Sequence, residues 1–126
     1  MNDLTAEWVQ KAEGDFTVAE ELLKLTLEST TDAICFHCQQ CVEKYTKAYL
    51  QHHSIDFPRT HNLAQLLMLC LEHNEAFEKI ELEMRMLNSY SVETRYPGRF
   101  TSLEEARGAV DAAEIVRNFV RSKLGL

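Results

Sequence analysis

The chain has 126 residues, with 13 Lys and Arg against 20 Asp and Glu for a formal net charge of −7, 45% hydrophobic residues, 4 Gly and 2 Pro. That length fits a single domain over residues 1-126 with a core of its own, and the acidic balance argues against broad electrostatic binding to nucleic acid or anionic lipid while leaving room for a local basic site. No uncharged apolar run approaches the roughly 18 residues of a membrane span and "MNDLTAEWVQKAEGD" lacks a signal-peptide core, so a cytoplasmic protein without membrane contact is expected, its four cysteines reduced thiols or metal ligands and not a disulfide framework.

Trp8, Ala12, Phe16, Ala19, Leu22, Leu23 and Leu27 recur at steps of mostly three or four residues and predict an amphipathic helix with Thr5 as its N-cap. The polar cluster "ESTTD" ends it and caps a second helix from about Ala33 to about His52. Pro58 breaks the chain in "HSIDFPRTHN", with Thr60 as the next cap. "NLAQLLMLCLEH" predicts a short apolar third helix, and "EAFEKIELEMRMLNSYSVETR" a fourth with Phe77, Ile80, Met84 and Leu87 facing inward. "RYPGRFTS" is a turn, and from Ser102 the residues Leu103, Ala106, Val110, Ala113, Val116 and Val120 mark a last long helix. The fold class is all-α: an antiparallel four-helix up-and-down bundle with an additional short helix.

The second helix opens on "CFHCQQCVEK", which has the spacing of a metal box. A helix turns about 100° per residue, which places Cys35, Cys38 and Cys41 on one arc with Val42, Tyr45, Ala48 and Tyr49. Phe36, His37, Gln40, Glu43, Lys44 and Lys47 fall on the opposite, mostly polar arc. At about 1.5 Å rise per residue Cys35 and Cys41 stand roughly 9 Å apart along the axis, too far to share an ion with bonds near 2.3 Å. The thiols are therefore expected to pack as small buried groups, free of metal. On composition alone the polar arc is a solvated face with Glu43 and Lys47 as an i, i+4 pair. Phe36 points instead to a contact with a partner or a base.

"FHCQQCVEKYTKAYL", "THNLAQLL" and "RYP", in that order, closely resemble the HEPN domain (higher eukaryotes and prokaryotes nucleotide-binding), whose usual pattern is F-H-A-Q-Q-A-x-E-K, T-H-D-L and R-Y-P. The N-terminal "EWVQKAEGDFTVAEELL" also resembles the family's first helix, so the match spans most of the chain. Cys38 and Cys41 stand where the family usually has alanine, and Asn62 where it usually has Asp. The resemblance implies a homodimer, often encoded beside a minimal nucleotidyltransferase as a toxin-antitoxin pair, that binds nucleotides or cleaves RNA. RNA-cleaving members carry an arginine followed after four to six residues by a histidine; no arginine here has one, and Arg59 with His61 is too tight.

The resulting expectation is a protein that binds nucleotide or RNA and works through a partner, with no catalytic residue, metal or cofactor assigned. Its nucleotide-binding residues are His37, Gln40, Glu43, Lys44, Lys47, His61, Arg95 and Tyr96, a cationic and hydrogen-bonding set that holds phosphate and stacks a base. Lys44 and Arg95 are expected on the surface, and Phe36 at or beside the subunit boundary. The alternatives are an RNA-cleaving enzyme using His37, His61 and Arg95 at a non-standard site, and a non-catalytic dimeric adaptor.

Overall fold

The structure is a computed structural model that describes residues 1–91 and 97–126. Helix α1 (Asp3–Lys24) starts at Asn2, whose side-chain oxygen accepts the Thr5 backbone N–H at 2.8 Å. Thr5, expected to cap this helix, is instead buried in its first turn, because the cap oxygen must come from the residue that precedes the free amides. The helix stops before Thr26, whose φ of 51° lies in the left-handed region. Leu27 therefore leaves the inward stripe on which the periodicity had placed it, and is 48% exposed.

Helix α2 (Thr31–His52) is central, with 14 of its 22 residues buried. An amphipathic surface helix buries one stripe, whereas α2 is packed on several sides by α1, α3 (Leu63–His73), α4 (Glu81–Leu87) and α5 (Leu103–Lys123). It runs unbroken through Cys35, Cys38 and Cys41, and all three, with Cys70 of α3, are fully buried as expected. Burial pushes the Cys35 thiol up to about 11 and Cys70 to about 12, and also raises Cys38 and Cys41 well above the ordinary thiol value, so none of them is thiolate at neutral pH. Among the described residues no three His, Cys, Asp or Glu are grouped to hold a metal ion.

Asn62, and not Thr60, caps α3: its side-chain oxygen accepts from the backbone N–H groups of Ala64 at 2.9 Å and Gln65 at 3.2 Å. Thr60 braces the cap through a hydrogen bond from the Asn62 N–H to its hydroxyl. The expected continuous fourth helix is instead composite. Residues Glu75–Ile80 form a 3₁₀ segment, α4 follows, and Asn88–Ser91 is again 3₁₀. Phe77, Ile80, Met84 and Leu87 nevertheless all face the core. Ser102 caps α5 by accepting the Glu105 N–H at 3.0 Å, and Ala106, Val110, Ala113, Val116 and Val120 are buried as their spacing predicts.

The fold is all-helical, an up-and-down bundle of four legs with α3 as the additional short helix, and no strand occurs among the described residues. Among the same residues no helix is long and apolar enough to cross a membrane. The start of α2 is tied to the approach to α5: Asp32 Oδ1 accepts both the backbone N–H and the hydroxyl of Thr101, at 2.9 and 2.7 Å, and the Thr31 hydroxyl donates to the Thr101 carbonyl.

Candidate functional site

The polar residues of α2 fall into separate clusters, each centred on a carboxylate. Glu43 is the most buried of these carboxylates, with its side chain 3% exposed. Its Oε2 accepts from Lys47 Nζ at 3.0 Å, while Oε1 accepts from His61 Nδ1 at 2.9 Å and Gln39 Nε2 at 3.3 Å. Gln40 Nε2 lies 3.4 Å from the same Oε1 and donates to Gln39 Oε1 at 2.7 Å. Gln39 Nε2 also donates to the His61 carbonyl at 3.0 Å, so the histidine is held by ring and backbone together.

A solvated Glu43–Lys47 pair is therefore not what the structure contains. Both side chains are buried, because Trp8 of α1 and the segment before α3 close over this part of α2, with Lys47 Nζ 5.5 Å from the indole centroid. A buried ionised carboxylate is costly unless its lone pairs are satisfied, and here one cation, one imidazole and two amides satisfy them. A carboxylate only accepts, so His61 carries its proton on Nδ1 and presents Nε2 on a side chain that is 68% exposed.

The second cluster joins α2 to α1. Asp15 Oδ1 pairs with His37 Nδ1 at 2.8 Å, and Oδ2 accepts from Lys44 Nζ at 2.6 Å. Lys44, expected at the surface, is only 23% exposed, because this contact draws it against α1. Phe36 packs edge-on against His37, with ring centroids 5.7 Å apart. The structure thus separates His37 and Lys44 from the Glu43 group that holds Gln40, Lys47 and His61. Arg95 and Tyr96 lie outside the described residues.

Sequence reasoning assigned no role to Gln39, Asp15 or the third cluster. There Glu13 takes a bidentate hold from Arg117, at 2.6 and 2.7 Å, and accepts from the Tyr45 hydroxyl at 2.5 Å. Arg121 stands 3.7 Å from the same carboxylate and 3.2 Å from the Tyr45 oxygen. Hydrogen bonding to Arg117 holds the Glu13 carboxyl below its usual value of 4.5, against the opposing effect of burial. A depressed carboxyl contributes stability that is fully present above the unfolded value and is lost as pH falls through the folded one. Melting wild type and Glu13→Gln from pH 7 to pH 3 should therefore show a gap that is constant above about pH 5 and narrows once the pH drops below 4.5. A gap independent of pH would mean that the Arg117 contact does not depend on the Glu13 charge.

Fold and site together define a helical bundle whose central helix pairs its lysines with buried and part-buried carboxylates, one of which orients a histidine of the following loop at the surface. The chain belongs to the HEPN family: a match to the HEPN domain covers residues 5–123. Its fold is similar to that of TT1696 from Thermus thermophilus, with a TM-score of 0.78 at 21% identity over 97% of this chain and 99% of that one. It is also similar to ST0689, an archaeal HEPN homologue, with a TM-score of 0.73 at 24% identity over 98% of both chains. No curated protein matches the sequence.

Proposed function

We propose that this HEPN protein binds the phosphate of a nucleotide or RNA at His61 and acts with a minimal nucleotidyltransferase in a toxin-antitoxin type pair, itself as a homodimer. The observation that supports the binding site is the orientation of an exposed imidazole by a carboxylate that is almost completely buried. Glu43 fixes the tautomer, so that Nε2 is the nitrogen turned to a ligand, and in the imidazolium form it offers a charge-assisted hydrogen bond to phosphate. Gln40 borders the same carboxylate and adds a neutral amide. The partner rests on family membership, and a small nucleotidyltransferase gene beside this one is its direct check.

Titration of AMP and of a short single-stranded RNA at fixed low salt, into wild type and His61→Ala, tests the site. Loss of one charge-assisted contact should weaken binding about 10- to 100-fold. Equal affinity in both proteins removes His61 from the site, and no binding to wild type overturns the proposal. The same carboxylate–histidine geometry also suits general acid–base chemistry at a phosphate, which favours RNA cleavage as the second function. Cleavage of a labelled RNA by wild type and not by His61→Ala would select it.

A further inference from the structure

Trp8 is the single tryptophan of the chain, and it is not left to the core. It is half-buried on α1, where it lines a cleft of about 170 Å³ with Leu4, Glu7 and Lys11. The indole is held from inside the fold: Phe57 meets it edge-on, with centroids 6.4 Å apart at 64°, and Lys47 Nζ lies over the ring at 5.5 Å. This lysine is the one that Glu43 holds by its second oxygen, so a continuous chain of contacts runs from Trp8 through Lys47 and Glu43 to His61.

We propose that Trp8 is the stacking platform for the base of the nucleotide whose phosphate His61 holds, an inference that rests on the nucleotide-binding function proposed above. The chemistry fits one planar heterocycle. The cleft is smaller than the roughly 300–1,000 Å³ of sites that enclose drug-sized ligands, and a rigid aromatic ring at its wall offers a π-face to any base. Lys47, itself buried and paired with Glu43, braces the indole from within. Lys11 and Glu7 on the rim are exposed and 3.9 Å apart, a loose pair that does not close the cleft. The 57% exposure of Leu4 gives the platform an apolar border.

Because the chain has one indole, its emission reports the platform without a label. AMP is titrated into the full chain and followed by Trp8 fluorescence and by calorimetry in parallel, with ribose 5-phosphate as the ligand that lacks a base. The expected result is a change in emission that saturates on the calorimetric curve for AMP and is absent for ribose 5-phosphate. Trp8→Leu should weaken AMP about 5- to 100-fold, as loss of one stacked base predicts, and leave ribose 5-phosphate unchanged, while Trp8→Phe keeps most of the affinity. Thermal melts show whether the variants fold, and the wild-type comparison of the two ligands stands without them. AMP binding by calorimetry without any change in emission, or with equal affinity in folded Trp8→Leu, overturns the platform and leaves the phosphate site standing. No heat from AMP in wild type overturns both.

Discussion

Glu43→Ala should lower stability by about 3–5 kcal/mol, the range for removing one partner of a buried ion pair, and lower the melting temperature by on the order of 10–20 °C. The size follows from what is left behind. Lys47, 8% exposed at its side chain, keeps its charge with only the indole to face, and the Gln39 amide loses an acceptor in a site closed to water. Glu43→Gln should cost less, since an amide oxygen still accepts from His61 and Gln39, but it leaves the lysine unbalanced. The double variant Glu43→Leu with Lys47→Met should recover most of the loss, because a buried pair exchanged for apolar groups of similar volume is often neutral or better. That variant also separates stability from binding: it should fold, yet hold His61 by its carbonyl contact alone. Chemical denaturation of the four proteins decides the matter, and a loss below about 1 kcal/mol in Glu43→Ala would show that Glu43 is not the ionised centre of a closed network.

What the sequence makes legible is the side of each helix that turns inward. The spacing of Phe77, Ile80, Met84 and Leu87 survives the change from 3₁₀ to α geometry, because steps of three and four residues suit both. Cys38 and Cys41 lie on the buried arc of α2 for the same reason. A helical wheel gives directions within one helix and says nothing of what other segments bring to them. Glu43 and Lys47 are buried because Trp8 and His61, from distant parts of the chain, close over them. The carboxylates that hold His37, Lys44, Tyr45 and Arg117 come from α1, up to 104 residues away. The same limit explains the caps. Asn62 and Asn2 outcompete Thr60 and Thr5 by their position relative to free amides, which depends on where each first turn begins. Asn62 stands where the family usually has Asp, and as a cap either residue supplies the oxygen.

Phe77→Ala is expected to be the most damaging single truncation in the composite leg, at about 3–5 kcal/mol. Its ring is fully buried and meets two others edge-on, Tyr49 at 4.6 Å and Phe119 at 5.0 Å, which ties Glu75–Ile80 to both α2 and α5. Edge-to-face pairs add about 0.5–1.5 kcal/mol beyond the area they bury. A 3₁₀ segment has poorer hydrogen-bond geometry than an α-helix and little stability of its own, so packing by Phe77 and Ile80 is what holds this one in place. The Tyr49 ring would lose a wall, although its hydroxyl keeps the His73 nitrogen 2.7 Å away. Phe77→Leu, which refills most of the volume, should cost less than about 1.5 kcal/mol. Urea unfolding gives the global loss, and amide hydrogen exchange shows where it falls: protection should drop first in residues 75–80 and only later in α2. Uniform loss of protection across the bundle would mean that the segment is part of the main cooperative unit, and a cost for Phe77→Ala no larger than for Phe77→Leu would mean that the aromatic contacts do not hold it.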